Sequence, residues 1–108
     1  MSEDAEKVFE DPQAVSQSAT ICNDKGLHAR ASAKFVRMAE QFDAEVAVRR
    51  EGAVVGGTSI MGLMMLAAAK GCEVEVAASG EEAGTALQSL IELIEQGFGE
   101  IEDLPPKG

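Results

Sequence analysis

The sequence predicts an α+β fold, in which a four-stranded sheet carries helices on one face. The first observation behind this is composition, because 108 residues with 45% apolar and 26% charged residues suit one compact domain. The second is the order of the segments, which alternate between strand and helix character as β-α-β-β-α-β-α. Because this order departs from the repeated strand–helix units of a parallel sheet, it predicts a two-layer α+β domain.

Four segments have strand character and account for the sheet. Residues 45–50 alternate strictly, so that Val46 and Val48 point to one face and Ala47 to the other. A glycine-bounded segment follows at once, which predicts a hairpin that turns near residues 51–52. The four predicted strands cover residues 15–22, 45–50, 52–57 and 72–78.

Three segments have helical spacing and account for the covering layer. Ser59 caps the second of them and Gly71 ends it, whereas Gly97 ends the third. The apolar stripe of the first helix consists of Ala29, Ala33, Val36 and Ala39. That of the third consists of Ala83, Ala86, Leu87, Leu90, Ile91 and Ile94. The three predicted helices cover residues 29–42, 59–70 and 81–97.

The chain divides into one domain and two end segments. Residues 1–14 form an acidic extension, for which disorder and a loose helix are both open. Residues 15–98 form the domain, and residues 99–108, with glycine and a proline pair, form an irregular tail. The first residues lack the apolar stretch of a secretory signal, and no run approaches the roughly 20 apolar residues that span a bilayer. We therefore expect a cytoplasmic protein without membrane insertion.

The charge of the chain excludes several classes of partner. Nineteen acidic and nine basic residues give a net charge of −10, which repels nucleic-acid phosphates and anionic lipids. A base-stacking platform is not expected either, because the aromatic residues are four Phe without Tyr or Trp. A protein partner with a basic face fits better. The single histidine and the widely separated Cys22 and Cys72 match no metal-binding spacing, so we expect no metal and no cofactor.

The first predicted helix begins directly after the only histidine of the chain, His28. The N–H groups of a first helical turn have no intrahelical partners and favour an anion. Arg30 adds a charged donor, and together with the helix end it disfavours a proton on the His28 ring, so we expect a neutral, nucleophilic imidazole. These residues suit a histidine that accepts and hands on a phosphoryl group. The alternative is a surface histidine beside an unrelated arginine.

Three stretches give the chain a resemblance to a known family. They read GLHARASAKFV (26–36), VGGTSIMGLMMLAAAKG (55–71) and VEVAASGEEA (74–83). In this order and spacing they resemble HPr, the histidine phosphocarrier of the bacterial phosphoenolpyruvate-dependent phosphotransferase system, over roughly residues 17–97. The stretches FDAEV and IEQGFGE are similar to the nitrogen-related branch of the family, NPr.

The resemblance implies both a fold and a chemistry. The fold is an open-faced β-sandwich, whose antiparallel sheet has the order 1-4-2-3 and is covered by three helices. His28 would be phosphorylated on Nδ1 by enzyme I, itself charged from phosphoenolpyruvate, and Arg30 would bind the phosphate. The group would then pass to an enzyme IIA component, so the protein would be a monomeric carrier rather than a turnover enzyme. Ala31 stands where the family usually has proline, which puts the rate of transfer in question.

The second helix carries a further implied site and a docking surface. In many HPr proteins the serine that matches Ser59 is phosphorylated by an ATP-dependent HPr kinase/phosphorylase, which would add about −1.5 to −2 charges. Ile60, Met61 and Met64 match exposed positions on which partners dock. The alternative function is that of a regulator, which binds its targets according to the phosphorylation of His28 or Ser59.

Overall fold

The structure, a computed structural model, describes residues 3–100 as four strands and four helices with a short 3-10 turn near the end. The strands are β1 (Val15–Thr20), β2 (Glu45–Arg50), β3 (Ala53–Gly56) and β4 (Glu73–Ser79). The helices are α1 (Glu3–Glu10), α2 (Ala29–Ala39), α3 (Ile60–Met65) and α4 (Ala83–Glu95), and the 3-10 turn is Gly97–Gly99.

The strands form one antiparallel sheet in the order β1-β4-β2-β3. Val74 lies opposite Ala19 on β1, and Val76 lies opposite Val48 on β2, so the inward side chains of three strands meet in one core. The helices α2, α3 and α4 cover this face, with Phe35 and Leu90 fully buried between the layers. The α+β class and the 1-4-2-3 order are confirmed.

The predicted helices differ from the observed ones at their ends and in one stripe. The prediction that Ala29 and Ala33 face the core is wrong. The large side chain of Phe35 is buried instead, so the inner face of α2 consists of residues 31, 32, 35, 36 and 39. By contrast, all six residues predicted for the stripe of α4 are buried.

The second helix is shorter than predicted, since α3 ends at Met65 rather than near residue 70. Leu66 closes the helix, and Ala67 adopts a left-handed backbone with φ 52°. The chain then bends toward the loop before α2, where the Leu27 N–H donates to the carbonyl of Ala68 at 2.9 Å. Residues 67–69 are therefore part of the support for that loop.

The N-terminal extension is a helix that packs on the other face of the sheet. Val8 is 4% exposed, and it lies with Ala5 against the outward side chains of β2, β3 and β4, which are Ala47, Val54 and Ala77. The Arg49 guanidinium lies 4.2 Å from the ring centroid of Phe9 and is paired with Glu75. Of the two possibilities left open for the extension, the structure shows a helix, and a docked one. No helix within residues 3–100 is long and apolar enough to cross a membrane.

Candidate functional site

The loop before α2 is held by a close approach between two backbones. Gly26 has φ +65°, and a Cβ placed on it would lie 2.3 Å from the Ala68 carbonyl oxygen. Only glycine tolerates both conditions without displacing the neighbouring chain. The His28 N–H donates to the Gly26 carbonyl at 2.9 Å, which sets the turn that delivers His28 to the helix start.

His28 is the N-cap residue of α2, as the sequence predicts. The first intrahelical bond runs from the Ser32 N–H to the His28 carbonyl at 2.9 Å. The N–H groups of residues 29–31 precede that bond, so the helix offers them no acceptor. The His28 side chain is 27% exposed, which leaves its ring accessible at this helix end.

Arg30 is exposed beside this end of the helix. Within residues 3–100 its guanidinium takes part in no ion pair and no hydrogen bond. The structure therefore leaves its donors available to an anion at the helix end, but it does not bring them onto the imidazole.

The partner of the imidazole is a carboxylate that the sequence reasoning missed. Glu100 Oε2 contacts His28 Nε2, and its other oxygen, Oε1, accepts a hydrogen bond from Asn23 Nδ2 at 3.0 Å. Glu100 falls in the segment predicted as an irregular tail (99–108), of which residues 101–108 lie outside the described residues.

Phe98 explains why this carboxylate reaches the site. Its side chain is 0% exposed in the main core, and its backbone is left-handed with φ 57°. Lys34 of α2 donates to the Phe98 carbonyl at 2.7 Å. The sequence did contain a signal for this, namely an apolar aromatic residue between two glycines, Gly97 and Gly99. Burial of such a side chain stabilises the fold, so Phe98 indicates that the chain returns to the core at this point.

The pKa of Glu100 lies below its ordinary value of 4.5. Partial burial alone would raise this pKa, but the hydrogen bonds from Asn23 and His28, with the charges of His28 and Lys34, lower it further than burial raises it. Glu100 is therefore ionised near neutral pH and acts as an acceptor at both oxygens.

Asn23 ties the loop and the tail together. It is 1% exposed, and its Nδ2 donates both to the Gly26 carbonyl at 2.8 Å and to Glu100. Its Oδ1 is a buried acceptor without a hydrogen-bond partner in the described part of the chain. This amide therefore fixes where the carboxylate sits relative to the imidazole.

Ser59 and the predicted docking residues lie together on α3. Ser59 is exposed, and its Oγ accepts a hydrogen bond from the Gly62 N–H at 2.9 Å, which confirms it as a helix cap. Ile60, Met61 and Met64 are exposed, whereas Leu63 is buried in the core. Met65, at 77% exposed, is the apolar side chain that the sequence reasoning did not add to this surface.

The fold and the partly exposed histidine at a helix start define a class of protein, the histidine-containing open-faced β-sandwiches. Residues 15–96 match the family described as PTS HPr component phosphorylation site. The chain belongs to this family, the HPr phosphocarrier proteins of the phosphotransferase system.

Known proteins are similar to this chain over most of its length. Phosphocarrier protein HPr of Neisseria meningitidis is 50% identical over 88 residues, which cover 82% of this chain and 99% of that protein. Phosphocarrier protein NPr of Klebsiella oxytoca is 39% identical over 87 residues, covering 80% and 97%. The crystal structure of HPr-C-His from Thermoanaerobacter tengcongensis has a TM-score of 0.76 at 36% identity, covering 79% of this chain and 96% of that one. The α1 helix precedes the matched family region.

Proposed function

We propose that this protein accepts a phosphoryl group from phospho-enzyme I on His28 and passes it to an enzyme IIA component. It does so as a cytoplasmic, monomeric carrier without turnover of its own. The observation that carries the proposal is the contact between Glu100 and Nε2 of His28, which leaves Nδ1 as the nitrogen able to attack phosphorus.

The step is a transfer between two nucleophiles. The Nδ1 lone pair of His28 forms a bond to phosphorus while the bond from phosphorus to the donor group of enzyme I breaks, and that donor keeps the electron pair. As Nδ1 bonds to phosphorus, positive charge develops on the ring, and the Glu100 carboxylate at Nε2 stabilises it.

Arg30 and the open end of α2 serve the phosphoryl oxygens. The guanidinium supplies charged donors, and the unbonded N–H groups of the first turn add oriented ones. At Ala31 the chain has an N–H that the usual proline of the family lacks, so one more donor lies in this turn. The same donors hold the group until the enzyme IIA component takes it.

The test is intact mass after incubation with phosphoenolpyruvate and cognate enzyme I. We expect an acid-labile phosphoryl adduct on the wild-type protein and none on His28→Ala. His28 makes no side-chain cap bond but contacts Glu100, so we expect the substitution to cost at most about 2 kcal/mol of unfolding free energy and the variant to stay folded. An adduct that persists on folded His28→Ala would contradict the proposal.

Phosphorylation of Ser59 by an HPr kinase/phosphorylase is the second part of the proposal. The observation that favours it is an exposed hydroxyl at the start of α3, directly before the exposed residues Ile60 and Met61. A phosphate there would place negative charge on the surface that partners approach. The protein would then act as a regulator as well as a carrier.

A further inference from the structure

A groove of about 960 Å³ is lined by residues of α1 and α3. Val8 of α1 forms part of one wall, and Met61 and Met65 of α3 form part of the other. Val55 of the edge strand β3 lies between them. Both walls of the groove thus carry apolar side chains, and two of these, Met61 and Met65, are the most exposed large apolar residues of the described chain.

The charges around the groove have one sign. Asp4, Asp43 and Glu45 line it and are all exposed. None of its lining residues within residues 3–100 is Lys, Arg or His. The groove therefore favours an apolar segment with basic flanks and repels an acidic one.

We propose that this α1–α3 groove receives an apolar segment, flanked by lysine or arginine, of a phosphotransfer partner. The inference rests on the proposed function, because it takes α3 as the surface on which partners dock. It extends that surface from Ile60, Met61 and Met64 to Met65 and to the helix α1.

The α1 helix precedes the matched family region, so one wall of this groove lies outside the part of the chain that the family match covers. Met61 and Met65 are open to solvent, but they line the same groove as Val8 of α1, so a partner side chain bound between α1 and α3 would lose contact with water on both sides. The unbranched, polarizable side chain of methionine adapts to different shapes, so one groove can serve both the donor and the acceptor of the phosphoryl group.

Two neighbouring methionines supply a matched pair of variants. Met65 lines the groove, whereas Met64 is exposed on the same helix but does not line it. We expect Met65→Gln to weaken binding of cognate enzyme I or of the cognate enzyme IIA protein by about fivefold or more, measured by titration calorimetry on the full chain. We expect Asp4→Asn to slow association and to reduce its dependence on salt.

Nuclear magnetic resonance of the labelled full chain maps the same contact. On titration with each unlabelled partner, we expect the amides of Ala5, Val8 and Met65 to shift along with those near His28. If Met64→Gln weakens binding while Met65→Gln, Asp4→Asn and the α1 amides are unaffected for both partners, the groove proposal is wrong and the carrier proposal stands. If neither partner binds and His28 takes no phosphoryl group, both fail together.

Discussion

The His28 ring has two nitrogens, and the structure gives them different tasks. Nε2 meets the Glu100 carboxylate, whose lowered pKa keeps it ionised, so the proton of a neutral ring belongs on Nε2. Nδ1 then carries the ring's free lone pair, and His28 itself is the N-cap residue of α2. A carboxylate hydrogen-bonded to one ring nitrogen fixes the tautomer and the orientation of an imidazole. Under the proposed function, this contact leaves Nδ1 as the nitrogen for phosphoryl transfer before any partner arrives.

Asn23 is expected to control the ionisation of Glu100. The substitution Asn23→Ala removes a hydrogen bond that lowers the pKa of Glu100, while the burial that raises it remains. We therefore expect the pKa of Glu100 to rise in the variant, measured by carbon-13 titration of its side-chain carboxyl. An unchanged pKa would mean that His28 and Lys34 alone hold the carboxylate.

The same pKa has a consequence for stability. Because the pKa of Glu100 in the folded chain is below 4.5, its stabilisation is fully present above that value and is lost as the pH falls through the folded pKa. Glu100→Gln should therefore lower unfolding free energy at pH 7, with the difference from wild type shrinking in acid. Measuring the unfolding free energy of both proteins as a function of pH distinguishes the effect of the Glu100 charge from that of its size.

Local reasoning reached only part of this site. His28 at the helix start and Ser59 as a cap follow from residue type and position, since caps are decided within a few residues. Glu100 could not be found in that way, because it meets His28 across 72 positions of sequence. Its place depends on how Phe98 packs, which is a property of the assembled core.

At the level of elements, α1 is held by packing rather than by its own stability. A helix of eight residues is far shorter than the ~12–15 residues at which isolated helices become marginal in water. Its anchors are Ala5 and Val8, with Phe9 under the Arg49 guanidinium. The helix and its docking on the sheet therefore form together.

Removing one anchor tests this dependence. Val8→Ala deletes two buried methyl groups, which at roughly 0.8 kcal/mol each should lower unfolding free energy by about 1.5 kcal/mol, while alanine itself favours the helix. Lys7→Ala is the matched control, because Lys7 is exposed on the neighbouring position of the same helix. Urea unfolding of both variants measures the difference, and equal effects at the two positions would show that α1 is not held by its buried face.

The elements of the sheet were predictable and the docking of α1 was not. Strict alternation in β2 and the hairpin that follows it depend on neighbours in sequence, so local patterns suffice. For α1 the pattern was present at Ala5, Val8 and Phe9, but three apolar residues do not say which surface they cover. The corresponding signal on the sheet was Ala47, a small apolar residue on the outer face of β2, which would be open to solvent without α1.

For the whole molecule, a net charge of −10 must be weighed against the charges near the transfer site. At physiological salt the screening length is about 8 Å, so a charge on a distant helix has little effect on a partner that docks at α3. A charge at Ser59 lies within that length of the proposed docking residues that follow it. The proposed regulation by a phosphate at Ser59 would thus be a local effect on an already acidic protein.

A pair of added charges distinguishes the local effect from the overall one. In Ser59→Asp the carboxylate keeps the cap on Gly62 and suits a helix start, so unfolding free energy should change by less than about 1 kcal/mol. Gln88→Asp adds the same charge on the exposed side of α4. We expect enzyme I to phosphorylate His28 more slowly in Ser59→Asp and at the wild-type rate in Gln88→Asp, measured by rapid-quench transfer at physiological salt. Equal slowing would assign the effect to net charge, whereas wild-type rates in both would remove the regulatory role of Ser59.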